Sequence, residues 1–243
     1  MIKRNDCPLC GKSGGGITVS SRDKEVIKKC SCGVVYKSIV DVIEQPPHYR
    51  SPKIWDKPFF KKRYKKIAKY IAKTLNKECF NLLDIGCGNG SMLKYLGKRY
   101  PKALLEGVEP STGLHKNLEK QTLILHKLRF DDLSPKKGKY DLIICMGVDY
   151  LFTNHDAAMK KLKTILSDGG HIYIERNVFI DMKSFVGRKV TSDDILYWNN
   201  PLITTWFTEE QMEKQLEKYF VIEDKLVYGE ETSKNVGWLC SRK

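Results

Sequence analysis

The segment Asn81-Leu-Leu-Asp-Ile-Gly-Cys-Gly-Asn-Gly-Ser-Met-Leu93 constrains this chain more than any other stretch. Apolar residues run into Asp84, and glycines then fall at 86, 88 and 90. A buried strand that ends in a glycine-rich turn and opens a helix is where an open α/β sheet holds a nucleotide-like ligand. At Gly86 and Gly88 no Cβ intervenes, so the backbone can turn tightly and lie close against such a ligand. The spacing is Asp-x-Gly-x-Gly-x-Gly, which differs from the Gly-x-Gly-x-x-Gly of dinucleotide binders.

The downstream sequence keeps to the same plan. Ala103-Leu-Leu-Glu-Gly-Val108 reads as a second strand, with Glu109 at its carboxyl end, about 20 residues past the glycine turn. Tyr140-Asp-Leu-Ile-Ile-Cys-Met146 is an apolar run of buried-strand type. Asn154 to Leu166 has helical periodicity, with Ala158, Leu162 and Ile165 on one face; Ser167-Asp-Gly-Gly170 caps it, and His171-Ile-Tyr-Ile-Glu175 is the next strand. Strands are expected near 81–85, 103–108, 122–126, 140–146 and 170–175. A helix from Thr208 to Tyr219 opens on Thr208-Glu-Glu as N-cap and acidic first turn, and Phe220 to Val227 with Val236 to Cys240 closes the chain as an antiparallel pair.

The glycine turn, Glu109, the Tyr-Asp-Leu-Ile strand and the Leu-x-x-Gly-Gly turn, in this order, resemble class I S-adenosylmethionine (SAM)-dependent methyltransferases over roughly residues 80 to 240. The resemblance implies an α/β, Rossmann-like seven-stranded sheet of order 3-2-1-4-5-7-6. It also implies roles. Asp84 would hold the cofactor's ammonium group, the backbone of Gly86, Cys87 and Gly88 would face its methionine moiety, and Glu109 would take both ribose hydroxyls. Phe130 and Asp131 would meet adenine, and Cys145 and Met146 would end strand four beside the transferring methyl. For catalysis the candidates are Asp149 and Tyr150, standing where many relatives read Glu-His, and Glu175 at the end of strand five. His155 and Tyr64 are further polar groups within reach of that end.

Composition bounds the rest. Forty-one per cent hydrophobic residues in 243 supply a core for one medium α/β domain with a small appendage. No run approaches the ~18 apolar residues of a membrane span, and the start Met-Ile-Lys-Arg-Asn-Asp is too polar for a signal peptide, so a cytoplasmic location is expected. The net charge of +14 is unevenly spread: residues 1–78 hold 19 Lys+Arg against 7 Asp+Glu, whereas residues 79–243 hold 24 against 22.

The cysteines divide in the same way. Cys7-Pro-Leu-Cys10-Gly11 and Cys30-Ser-Cys32-Gly33 look like the two knuckles of a zinc ribbon, each second cysteine being followed by a glycine that permits the tight turn. Four cysteines suit a closed, structural zinc site; a disulfide pair and free thiols are the rival readings. The second knuckle is one residue shorter than Cys-x-x-Cys. Cys79, Cys87, Cys145 and Cys240 are scattered and suit small buried apolar positions.

Three parts are therefore expected: a zinc ribbon over 1–40, with strands over Thr18–Lys28 and Val34–Ile39; a linker over 41–58 containing Pro46, Pro47, Pro52 and Pro58; and a catalytic domain over 59–243. That domain begins with a helix from Phe59 to Asn76, whose apolar stripe is Phe60, Tyr64, Ile67, Ile71 and Leu75. Its second stripe is Lys61, Lys65, Lys69, Lys73 and Lys77. Residues about 178–207 are too long for an ordinary connection and carry Phe179, Phe185, Tyr197, Trp198 and Trp206; the resemblance implies a lid over the methyl acceptor at this position.

The acceptor follows from layout and charge. A cysteine knuckle pair, linker, helix and class I domain resemble a bacterial and archaeal group that modifies sugars, surface glycans or secondary metabolites. The expectation is a small-molecule or sugar-linked acceptor. The alternative is ribosomal or transfer RNA bound by the basic front third, which could neutralise several phosphates, although the stripe lacks interleaved aromatics for base stacking. A non-catalytic SAM-binding module is the second alternative.

Overall fold

The computed structural model describes the chain apart from residues 1, 4–5, 15, 23–24, 41–57, 76–77, 112–113, 115–122, 135, 179–204 and 231–232. Most of the expected linker and the aromatics Phe179, Phe185, Tyr197 and Trp198 therefore lie outside the described residues. What remains is a three-layer α/β body with a small sheet attached.

The central sheet has seven strands: β6 (Asn81–Ile85), β7 (Leu104–Val108), β8 (Ile124–His126), β9 (Tyr140–Met146), β10 (Leu166–Val178), β12 (Phe220–Glu230) and β13 (Ser233–Arg242). Their spatial order is β8-β7-β6-β9-β10-β13-β12, with β13 antiparallel to both its neighbours and the other five parallel to one another. This is the 3-2-1-4-5-7-6 order that the resemblance implied.

Alternation along the strands sorts the core into two layers. Leu83, Ile85, Ile143, Cys145, Ile172 and Ile174 face α3 (His155–Ile165) and α4 (Glu209–Glu217). Leu82, Leu142, Ile144 and Tyr173 face α1 (Pro58–Ala72) and α2 (Ser91–Arg99). The helix stripe Phe60, Tyr64, Ile67 and Ile71 is buried as its spacing requires. Two helices carry the caps their sequences announce. Asn154 accepts the Ala157 N–H, and Thr208 forms a reciprocal capping box with Gln211.

Some boundaries move. α1 stops at Ala72, four residues before the expected end. Ser167-Asp-Gly-Gly170 is the irregular start of β10, whose register shifts between Leu166 and His171 and whose Gly169 takes φ 73°. In the front segment Thr18–Lys28 is not one strand. It is divided between β2 (Gly16–Arg22) and β3 (Glu25–Cys30), paired antiparallel with Arg22 opposite Glu25.

β4 (Val35–Lys37) extends that pair, and β11 (Thr205–Trp206) adds a fourth strand by pairing Thr205 with Tyr36 and Trp206 with Val35. A two-stranded pair, β1 (Ile2–Lys3) with β5 (Ile39–Val40), closes the segment. The attachment of β11 was not foreseen, because a two-residue strand carries no periodicity. Through it the cysteine-bearing sheet is continuous with the segment that follows β10. Leu9, Cys30, Val34 and Tyr36 share one apolar cluster with Phe207, Met212, Leu216 and Trp238. The Lys218 ammonium also donates to the Leu9 carbonyl at 2.9 Å.

Candidate functional site

The glycine turn is built on the end of β6. The amides of Gly86 and Cys87 both donate to the Val108 carbonyl, at 2.8 and 3.1 Å, so the turn is clamped to the end of β7. Gly86, Gly88 and Gly90 have φ of 67°, 58° and 73°, left-handed values that a side chain would strain. Space differs between them. A Cβ on Gly86 would lie 2.4 Å from Val148 Cγ1, so this residue must be glycine for packing reasons alone; at Gly88 nothing stands within 4 Å. The open space is therefore at Gly88.

Asp84 is 2% exposed, and its Oδ2 has no hydrogen-bond partner. Burial, followed by the nearby charge of Glu109, pushes its carboxyl up to about 8. Native interiors pair nearly all such atoms. A cationic group placed here would supply the missing partner. Glu109 is also buried, and its carboxylate accepts from the amides of Gly88 at 3.0 Å and Ser111 at 2.8 Å. It thereby spans the turn and the end of β7.

The other expected cofactor contacts are placed more deeply. The Cys87 thiol packs inward, its Sγ 2.7 Å from where a Cβ on Gly107 would stand, so the glycine in β7 makes room for it. Cys145 is fully buried on the α3/α4 side, with its thiol held well above its ordinary range by burial and then by Asp149 and Asp84. Met146 packs against the opposite cluster. Phe130 is buried against Phe152 with ring centroids 5.3 Å apart, and Asp131 accepts from the Thr153 hydroxyl at 2.8 Å and its amide at 3.2 Å. The Lys161 ammonium ties down the carbonyls of Phe130, Asp131 and Leu133 at 2.7–2.9 Å. This 130–132 turn is consequently rigid.

The two carboxylates considered for catalysis are both engaged. Asp149 is fully buried, with His155 Nε2 and Arg176 Nε each 3.3 Å from its Oδ2. Burial alone would raise its pKa; the Arg176 and His155 charges outweigh this and hold it below the usual value. Glu175 is 1% exposed, ion-paired with Arg63 from α1, and accepts the Tyr173 hydroxyl at 3.0 Å; Arg63 also donates to the Tyr228 hydroxyl at 3.0 Å. Tyr150 is half-buried, and its ring faces the Arg176 guanidinium, 5.9 Å away. Tyr64 is 7% exposed within the α1 core stripe. Arg63 escaped notice in the sequence, although its type was a signal. It is the only arginine in a lysine-rich helix, and arginine suits buried ion pairs better than lysine does.

The four front cysteines converge. Cys7 and Cys32 sulfurs are 3.6 Å apart, as are those of Cys10 and Cys30, and all four lie within 4.8 Å of one another. A tetrahedron with Zn–S bonds of about 2.3 Å has edges of about 3.8 Å, so the donor set fits one ion. Gly11 and Gly33, with φ of 71° and 86°, close the knuckles through Gly11 N–H to Cys7 O and Gly33 N–H to Cys30 O. For the Cys30 thiol, burial is opposed by the Cys32 amide and the neighbouring sulfurs, which bring it down to about 7. A thiol near that value is readily available as thiolate ligand. The shortened second knuckle still presents both sulfurs to the common point.

Comparison with known proteins agrees with this geometry. A family model described as a methyltransferase domain matches residues 59–219. A tRNA U34 carboxymethyltransferase of Campylobacter curvus is 29% identical over 119 residues, covering 46% of this chain and 39% of that protein. A malonyl-[acyl-carrier protein] O-methyltransferase of Priestia megaterium is 29% identical over 116 residues, covering 44% and 42%. The chain spans about two fifths to one half of the length of the first curated relatives it matches. Among solved structures, a plantazolicin methyltransferase in complex with a desmethyl substrate analogue and SAH superposes with TM-score 0.60 at 19% identity, over 79% of this chain and 88% of that one. Among the described residues no helix is long and apolar enough to cross a membrane.

Proposed function

The chain belongs to the methyltransferase-domain family, and we propose that it transfers a methyl group from SAM to a small-molecule or sugar-linked acceptor. Bound SAM would supply an electrophilic methyl on a sulfonium. The residues present suit it. Asp84 offers a buried carboxylate oxygen with no partner, Gly88 leaves open space at the turn, and Glu109 stands at the end of β7 with both oxygens oriented by backbone amides.

The choice of acceptor rests chiefly on β11. It lies against the 149–151 turn while paired to β4, so the cysteine-bearing sheet forms a wall beside the end of β9. A walled strand end favours a ring-sized group over a flat macromolecular surface. With Asp149 and Glu175 held in buried ion pairs, we assign both to positioning: Asp149 fixes the turn after β9, and Glu175 fixes α1 to β10. Tyr150, beside Arg176, orients the acceptor. Rate enhancement would then come mainly from alignment and exclusion of water. RNA is the second reading, favoured by four carboxymethyltransferases named for tRNA among the relatives and by the charge of the front third.

Titration calorimetry should show SAM binding at micromolar strength. Glu109→Gln, which keeps the shape and removes the charge, should weaken binding by about tenfold, since charge-assisted hydrogen bonds exceed neutral ones by about 1 kcal/mol or more. With methyl-tritiated SAM and a cell extract, label should appear on a low-molecular-weight or sugar-bearing fraction. Undetectable SAM binding would overturn the activity. Label confined to protein would overturn the acceptor class.

A further inference from the structure

The exposed face of α1 is strongly basic. Pro58–Ala72 contains five lysines, one arginine and no acidic residue. Arg63 turns inward to Glu175, and the five lysines, Lys61, Lys62, Lys65, Lys66 and Lys69, are all exposed. They form two adjacent rows, 61-65-69 and 62-66, with about 6 Å of axial rise between successive members of a row.

Several surface cations elsewhere have carboxylate partners. Lys160 pairs with Asp156 at 2.9 Å, Lys214 with Glu210 at 2.7 Å, Lys225 with Glu209 and Glu213 at 2.5 and 2.9 Å, Lys102 with Glu78 at 3.0 Å, and Arg242 with Asp168 at 2.6 Å. Among the described residues, none of the five α1 lysines has a carboxylate within ion-pair distance. Like charges at i,i+4 oppose helix formation, and three such pairs stand here: 61/65, 65/69 and 62/66. A lysine-rich composition accounts for the number of lysines. It does not account for five of them standing on one helix with no acidic residue among them.

We propose that this face is a docking surface for the phosphate backbone of RNA, a proposal that goes with the second reading of the acceptor above. A linear double row at helical pitch fits a flexible chain of phosphates. A bilayer is the poorer match, because the apolar face of α1 is consumed in the core and cannot insert. The rows carry no exposed aromatic side chain for base stacking, so the contact reads backbone charge and not sequence. Lys66 has its ammonium 5.2 Å over the Tyr228 ring, and Tyr228 bonds Arg63, which holds Glu175; the charged face is thus joined to the acceptor end of the sheet. The surface is independent of the methyl-transfer chemistry and can fail or stand without it.

The test is binding of a fluorescein-labelled single-stranded RNA of about 20 nucleotides, followed by anisotropy across a potassium chloride series. Five phosphate contacts predict a slope of log K against log salt near −3.5, from about 0.7 per contact on single strands. The triple variant K61Q/K65Q/K69Q should lower that slope by about 2 in magnitude and weaken binding at least tenfold at low salt, while K61R/K65R/K69R retains it. These residues are exposed, so SAM affinity and melting temperature should hold in both variants, which separates this result from any failure of the SAM site. The proposal is overturned if the wild-type chain does not bind RNA at low salt. It is also overturned if the glutamine variant binds as before, or if the three lysines are needed for anionic phosphatidylglycerol vesicles and not for RNA.

Discussion

Asp84→Asn is expected to weaken SAM binding by about 10- to 100-fold and, at the same time, to stabilise the ligand-free protein. The first effect is the loss of one hydrogen bond between charged groups, about 1.5–3 kcal/mol. The second follows from the environment of the carboxyl. Burial and Glu109 raise it to about 8 in the folded chain, against about 3.9 in an unfolded one. A group raised on folding contributes its full stability below the unfolded value and loses it as pH climbs through the folded value. The ligand-free protein should therefore lose stability between about pH 4 and pH 8, by about 4 kcal/mol at pH 7. Asparagine does not titrate, so the melting temperatures of variant and wild type should diverge with rising pH inside that window and run parallel outside it. A pH-independent difference would mean that Asp84 is not the titrating group. A cation taken up by Asp84 at pH 7 must also displace its proton, and calorimetry in two buffers of different ionisation enthalpy should detect that release. The carboxylate is costly to the empty fold and useful only with a cationic partner.

That site was largely legible beforehand because its parts are local. Asp84, Gly86, Gly88 and Glu109 lie within one strand-turn-helix-strand unit, whose geometry follows from a buried run, positive-φ glycines and a carboxylate at a strand end. The seven-strand order came from the resemblance and agrees with the observed pairing. What sequence could not supply was tertiary. Asp149 and Glu175 stand at strand ends, where a reactive carboxylate is reasonable, and only the fold brings Arg176, His155 and Arg63 against them. Cys145 and Met146 adjoin each other in sequence, yet strand alternation sends them to opposite layers. Two-residue β11 leaves no pattern, so its union with the front sheet, more than 160 residues away in the chain, was invisible.

That union sets the outcome of removing the metal we propose for Cys7, Cys10, Cys30 and Cys32. Elemental analysis should find about one zinc per chain, absent from Cys7→Ser/Cys10→Ser. The sulfur positions suit a closed tetrahedral site with no open position for a reactant, so the ion would hold structure and do no chemistry. Structural zinc commonly contributes about 10–16 kcal/mol of apparent binding energy to folding, far more than a forty-residue unit gains from its own core. Without it, amide exchange across β2, β3 and β4 should become fast. The loss should also spread along stated contacts. β11 would lose its partner strand, Lys218 its bond to the Leu9 carbonyl, and Phe207, Met212 and Leu216 the apolar cover of Leu9, Val34 and Tyr36. Exchange should therefore rise in Thr205–Phe207 and α4 as well. The glycine turn, clamped to the Val108 carbonyl, should keep its SAM affinity within a few-fold. A metal-free wild type with protected strands would refute the zinc assignment. So would a zinc ion carrying an exchangeable water. If exchange rises in residues 2–40 alone, the front sheet is an independent appendage and does not support the wall beside the acceptor.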